Sequence, residues 1–230
     1  MPSGLQRIFD DIAPRYELIN HAMTLGLDRV WRRRAVQLIS PQPGERRLDV
    51  CCGTGETLLL LERAAASDLA VGADFSANML RLAAQKPEGK SVRWVRCEAG
   101  ALPFADESFH LVTVTFATRN LQSSAAGLEG CFREFWRVLR PGGRFVNLET
   151  SQPPNGLVRR AFHLYVGAAV PLMARLLSGA RAGYAYLAAS IPRFYGAEEL
   201  AAVLRSAGFA QVDFERLFFG AAAVHVAQKA

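Results

Sequence analysis

Between the apolar run Arg47-Leu48-Asp49-Val50-Cys51 and a leucine-rich run that begins at Thr57 stands the turn Gly53-Thr54-Gly55. A glycine turn between a strand and a helix lets a ligand approach the backbone closely, at the carboxyl end of the strand, where open α/β sheets bind their ligands. A dinucleotide fingerprint needs a third glycine three residues after Gly55, but that position is Leu58, so the close helix-to-strand contact it provides is missing. Asp49 and Glu56 bracket the turn, and two carboxylates oppose a pyrophosphate while attracting cations. Asp74 follows Gly55 by 19 residues, at the end of the next apolar run, where a carboxylate can accept hydrogen bonds from both hydroxyls of a ribose. Glu98 follows the third such run and can accept from an exocyclic amine, with Leu102 and Phe104 enclosing a ring. The bland alternatives are that Glu98 is a solvated loop charge and that the Thr54 hydroxyl only satisfies local backbone.

A ligand with a sulfonium, an ammonium group and a ribose but no phosphate suits this donor set, and S-adenosylmethionine is such a ligand. NAD would use Asp74 equally well, so the bracketing acids and the absent glycine separate the two. The elements that must position these residues alternate. Strands are expected at Arg47–Cys51, Leu69–Asp74, Val92–Arg96, His110–Thr115 and Arg144–Leu148, with helices at Thr57–Ala66, after the capping Ser76, and at Leu128–Leu139. Such alternation implies an α/β fold, a doubly wound, mostly parallel sheet covered on both faces. After a helix at Ala197–Ala207, strands at Val212–Phe219 and Ala222–Ala227 are separated by little more than Gly220, which predicts an antiparallel C-terminal hairpin at the sheet edge. N-terminal helices occupy residues 1–40, one on Leu5, Ile8, Phe9 and Ile12 and a second over Leu27–Ile39, and end before Pro41 and Pro43.

With 230 residues, 50% hydrophobic and 21% charged, the whole span 1–230 reads as a single domain with a buried core. The longest uncharged apolar stretch, Leu164–Ala174, is broken by Gly167 and Pro171 and falls short of the ~20 residues of a spanning helix. The charged N-terminus has no signal core, so a cytoplasmic protein is expected. Cys51, Cys52, Cys97 and Cys131 show no CxxC spacing, so reduced thiols are expected and no metal site is suggested. The net charge of +6 is lopsided: no acid lies between Glu149 and Glu198, where Arg159, Arg160, Arg175, Arg181 and Arg193 stand among apolar residues, and a second basic knot is Arg29, Arg32, Arg33 and Arg34. Such a distribution invites a nucleic acid or an anionic membrane surface as partner.

Taken in order, Leu48-Asp49-Val50-Cys51-Cys52-Gly53-Thr54-Gly55, Gly72-Ala73-Asp74-Phe75-Ser76 and Arg137-Val138-Leu139-Arg140-Pro141-Gly142-Gly143 resemble the motifs of a class I S-adenosylmethionine-dependent methyltransferase. Nearly the whole chain resembles the ubiquinone/menaquinone biosynthesis C-methyltransferase family. Its most specific matches are Ala101-Leu102-Pro103-Phe104-Ala105-Asp106-Glu107-Ser108-Phe109 and Thr115-Phe116-Ala117-Thr118-Arg119-Asn120, flanked by Tyr16, Asn20, Tyr184-Ala185-Tyr186-Leu187 and Ala223-Val224-His225. The resemblance implies a seven-stranded Rossmann-like sheet, S-adenosylmethionine as methyl donor, and cofactor-binding positions at Gly53, Thr54, Gly55, Asp74, Glu98, Ala99 and Thr115. It departs from the family at Glu56, usually Asp, at Cys97-Glu98-Ala99-Gly100, and at Ala117-Thr118, where Gly-Leu is usual.

The reaction implied is attack by a ring carbon of a prenylated quinol, benzoquinol or naphthoquinol, on the methyl group, with Arg119, Asn120 and Tyr16 as catalytic candidates. Arg119 would pair with the developing oxyanion; its bland alternative is a salt bridge that clamps the loop. Residues 152–193 are expected to form a helical lid over the prenyl tail that rests on an anionic membrane surface, and a homo-oligomer is left open. Two rivals remain. One is a methyltransferase of RNA, DNA or another small molecule; a nucleic-acid substrate would account for the charge, although Thr115-Phe116-Ala117-Thr118 lacks the Asp/Asn-Pro-Pro-aromatic run of base-methylating sites. A non-catalytic scaffold on the same fold would not bind the cofactor. His21, His110 and His163 read as structural, which leaves His225 as the histidine to test as a proton carrier.

Overall fold

A computed structural model describes residues 13, 16–177 and 189–230; the expected helix on Leu5–Ile12 lies outside them. Seven strands, β1 (Arg46–Val50), β2 (Leu69–Asp74), β3 (Arg93–Arg96), β4 (Phe109–Thr115), β5 (Leu139–Thr150), β6 (Gln211–Leu217) and β7 (Ala222–Gln228), form one sheet in the order β3-β2-β1-β4-β5-β7-β6. The first five pair in parallel, and β7 runs antiparallel to both β5 and β6. The predicted hairpin is present, with one refinement: β7 inserts beside β5, so of its two strands only β6 is at an edge, opposite β3.

The helices are α1 (Tyr16–Met23), α2 (Leu27–Ile39), α3 (Glu56–Ala64), α4 (Ala77–Gln85), α5 (Thr118–Leu121), α6 (Gly127–Val138), α7 (Gly156–Leu177) and α8 (Ala197–Ser206). Ser76 caps α4 as its sequence position predicts, its side chain accepting from the Met79 N–H at 3.2 Å. The short helices α1 and α5 are additions to the sequence reading, since 8 and 4 residues are too few to carry a readable period. Pro141-Gly142-Gly143 is also not a turn ahead of a strand. It is a bulge within β5, where the register to β4 jumps from Phe109↔Leu139 to Leu111↔Arg144.

One face of the sheet carries an aromatic core, with Phe132 and Phe135 of α6 against Phe145 at 5.6 and 5.5 Å between ring centroids, and Phe209 at 5.6 Å from Phe145. The helical spacing of Phe132 and Phe135 is therefore a core face, as expected. Trp31, Ala35 and Ile39 of α2 and Leu61 of α3 cover the other face. A methyl group on Gly72 of β2 would lie 2.3 Å from the Trp94 ring, so the strand next to the glycine turn admits no side chain there. Among the described residues no helix is long and apolar enough to cross a membrane.

His225 of β7 is buried, with Nε2 2.8 Å from the Ala197 carbonyl at the start of α8. Burial pushes its pKa down from 6.5 to about 4, against the Ala197 contact and aided by the Arg216 charge. It is a core group joining β7 to α8, and it does not line the cleft described below. Because the unfolded chain binds the proton at higher pH than the fold does, stability is fully present above pH 6.5 and falls as pH drops toward about 4. Denaturation across that window should show the fall, and His225→Gln should flatten it; an unchanged slope would reject the assignment.

Candidate active site

Parallel strands β1 and β4 are neighbours whose connections leave toward opposite edges of the sheet, and the crevice beyond their carboxyl ends is where such sheets bind ligands. Cys51 and Phe116, the residues that follow these strands, both take left-handed backbone angles, φ 54° and 55°, which non-glycine residues avoid. Both residues line the space beyond the strand ends. The cleft between them encloses about 890 Å³ and is lined by residues from five segments, among them Tyr16, Gly53, Asp74, Glu98, Phe116 and Asn120. That volume lies in the range of small-molecule sites, which run to roughly 300–1,000 Å³.

Asp74 closes β2 at the cleft wall. Its Oδ2 accepts from the Gly53 N–H and its Oδ1 from the Ser76 N–H, both at 2.9 Å, so the turn and the cap of α4 fix the carboxylate plane. Glu98 lies exposed at the rim and Ala99 is buried in the wall. Four expected cofactor positions, Gly53, Asp74, Glu98 and Ala99, thus meet in one cleft. Thr54 and Thr115 line an adjoining pocket of about 20 Å³, and Gly55, the N-cap of α3, lines neither.

In that small pocket the side chains answer one another. The Thr54 hydroxyl donates to Glu17 Oε1 at 2.6 Å, and Lys86 Nζ donates to the same oxygen at 2.6 Å, which staples α1 across the glycine turn. Burial raises the Glu17 carboxyl, but the bonds from Lys86 and Thr54 outweigh it and hold the pKa below its usual value. Thr57 donates to Thr115 at 3.0 Å and accepts from Arg32 at 2.7 Å. The acids that bracket the turn face this pocket and not the larger cleft: Glu56 pairs with Arg32 at 3.3 Å, and Asp49 accepts from Thr113 at 2.6 Å. Burial pushes the Asp49 carboxyl up to about 7. Their sequence position beside the turn is right, but α2 supplies a cation of the chain's own.

The catalytic candidates divide as well. Tyr16 stands over Gly53, where a Cβ would lie 3.7 Å from its ring. Burial raises its hydroxyl pKa, and the charge of Asp74 adds to this against the Asn20 bond and the charges of Arg32 and Arg119, so the phenol stays protonated. Asn120 lines the cleft, and its buried Oδ1 has no hydrogen-bond partner among the described residues. Arg119 is not among the lining residues. Its Nη1 donates to Glu149 Oε1 at 3.0 Å and to Thr150 Oγ1 at 2.9 Å, while its backbone N–H donates to Glu149 Oε2 at 3.1 Å. The partner acid lies 30 residues away on β5, a pairing no local motif announces. Sequence reasoning also missed Met79 and the loop Ser123–Ala126 in the lining; Met79 sat on a readable helix face, but the loop carries no residue signal at all.

The cleft offers a braced carboxylate, an acid at the rim and an apolar wall of Phe75, Met79 and Ala99, a set that suits S-adenosylmethionine, whereas Leu102 and Phe104, expected to enclose a ring, pack with the core and do not line the cleft. Sheet order, reversed seventh strand and the carboxylate closing β2 together define a class I S-adenosylmethionine-dependent methyltransferase. An S-adenosylmethionine-dependent methyltransferase from Thermotoga maritima shares the fold with a TM-score of 0.68 at 18% identity, over 97% of this chain and 99% of that one. The model of the ubiE/COQ5 methyltransferase family matches residues 3–229, and the chain belongs to that family. A demethylmenaquinone methyltransferase from Thermus thermophilus is 41% identical over 96% of this chain and 100% of its own length. The ubiquinone/menaquinone biosynthesis C-methyltransferase UbiE of Desulfotalea psychrophila is 36% identical over 96% and 89%.

Proposed function

We propose that this enzyme methylates a ring carbon of a prenylated quinol, either demethylmenaquinol to menaquinol or a 2-polyprenyl-6-methoxy-1,4-benzoquinol to its C-methylated product. The observation that carries the reading is that one cleft joins the braced Asp74 to the unpartnered Asn120 Oδ1 and the protonated Tyr16. The names of the relatives support the substrate class. Residues 1–230 are read as one domain, with 152–193 as its lid over the prenyl tail, of which 178–188 lie outside the described residues, and the acid-free stretch suits an anionic membrane where that tail resides.

When bound, S-adenosylmethionine supplies an electrophilic methyl group on a sulfonium. Asp74 orients the ribose edge, and the wall around Phe75 and Ala99 excludes water from the adenine. The ring carbon becomes nucleophilic as a ring hydroxyl passes its proton to water, a step that needs help because a phenol of pKa near 10 is little ionised at pH 7, and the proton on the methylated carbon leaves last, as the aromatic ring is restored. Asn120 Oδ1 accepts from the ring hydroxyl that keeps its proton and turns the ring toward the methyl group, while the Tyr16 hydroxyl donates to the ring oxygen that ionises. Arg119, neutralised by Glu149, acts as a positioning residue that holds α5 and hence Asn120.

Only the reduced ring can react, because the oxidised quinone is electron-poor at carbon. Methyl transfer from labelled cofactor, measured on both ring classes with and without reductant, should therefore appear only with reductant. Asn120→Ala should lower turnover roughly 10²-fold while cofactor affinity holds, the cost of a reacting ring misplaced by about 1 Å. Equal rates on the oxidised ring, or unaltered turnover in the variant, would overturn the reading.

A further inference from the structure

The turn that joins β6 to β7 is strained and apolar. Phe218 and Phe219 both take left-handed backbone angles, φ 47° and 56°, which a bulky L residue avoids. The two residues are nevertheless 56% and 76% exposed. The turn is also braced. Trp31 of α2 stands 6.4 Å from the Phe218 ring, and a Cβ on Gly220 would meet Pro154 at 2.7 Å. Arg159 in the first turns of α7 donates to the Pro153 carbonyl at 2.8 Å, so α2 through Trp31 and the segment leading into α7 through Pro154 both pack against the turn. Val30 and Leu157 on these helices are 55% and 75% exposed.

Charge decides what such a surface meets. Arg29, Arg33, Arg159 and Arg160 are exposed and make no ion pair among the described residues. The acids nearest the turn in the flanking elements are already taken, Glu215 by Arg34 and Glu198 by Arg216. Exposed aromatic side chains on the turn, with guanidinium groups on α2 and α7 that make no ion pair among the described residues and with Glu215 and Glu198 already paired, complement an anionic lipid surface: the rings enter below the headgroups and the guanidinium groups meet the phosphates.

We propose that the Phe218–Phe219 turn is a wedge by which the chain docks on an anionic bilayer. The proposal deepens the surface association stated above and holds whichever ring is methylated. Its test uses the full chain and vesicles of phosphatidylcholine with and without phosphatidylglycerol, free of quinol. The native chain should sediment with the anionic vesicles, and Phe218→Ser/Phe219→Ser should weaken that binding at least tenfold. Arg159→Gln/Arg160→Gln should remove about fivefold per charge, mostly at low salt, and leave binding to neutral vesicles unchanged. Unaltered circular dichroism and unaltered methyl transfer to a short-tailed quinol keep the phenylalanine variant interpretable as folded. Native-like sedimentation of that variant would overturn the wedge. So would loss of self-association, or of single-stranded RNA retention, in a variant whose parent does not bind vesicles, which would give the surface to a second copy or to nucleic acid. Because no quinol is present, failure here leaves methyl transfer standing, and failure of methyl transfer leaves vesicle binding standing.

Discussion

Arg119→Ala is expected to destabilise the fold by about 3 kcal/mol, the low end of the loss when one partner of a buried ion pair is removed. Both side chains are almost wholly buried, at 5% and 1% exposure, so Glu149 would keep a charge without its counter-ion. The cost stays at the low end because Glu149 Oε1 still accepts from the Thr150 N–H at 2.8 Å and from the Thr150 hydroxyl at 3.0 Å, and Oε2 from the backbone N–H of residue 119. Arg119→Ala/Glu149→Gln should recover most of that stability, since a neutral amide costs less to bury. The double variant also separates two roles for Arg119. A positioning residue predicts that turnover returns with stability, with KM for the quinol near native. A guanidinium that stabilises the ring oxyanion predicts a stable but slow enzyme, partly rescued at high pH. Chemical denaturation and methyl-transfer rates on the same preparations decide between them, and a stable, slow double variant would reject the positioning role.

Asp74→Ala should weaken S-adenosylmethionine binding by on the order of 1.5–3 kcal/mol, the loss for hydrogen bonds to a charged group, or roughly 10- to 150-fold. The carboxylate has two tasks, since it also holds the Gly53 and Ser76 N–H groups. Asp74→Asn should be nearly as damaging, because an amide can accept from only one of those donors and sets its NH₂ against the other. Titration calorimetry on folded variants measures both. Native-like affinity in Asp74→Ala, or a preference of the native chain for NAD, would remove Asp74 from the cofactor site.

The sheet and its glycine turn were legible because they rest on local rules. Strand alternation, the Ser76 cap and the two-glycine turn are written in residues within a few positions of one another, and hydrophobic period and backbone sterics act over that range. The same holds for Asp74, whose distance from Gly55 is fixed by one helix and one strand. The aromatic face of α6 was readable for the same reason. The bulge in β5 was not: whether Pro141-Gly142-Gly143 ends a helix or interrupts a strand depends on β4 beside it.

Where each charge points was decided by tertiary structure. Asp49 and Glu56 stand in sequence where a cationic ligand would want them, yet Thr113 from β4 and Arg32 from α2 reach them first. Arg119 has a ready acid only because β5 lies beside β4 and brings Glu149 under α5. A buried charge is settled by the nearest opposite charge in space, and the nearest in space came from 30 residues away for Arg119 and 24 for Glu56. By itself the chain determined which carboxylates and amides stand at the sheet's carboxyl edge. The packing of α1, α2 and β5 decided which of them a ligand can still reach.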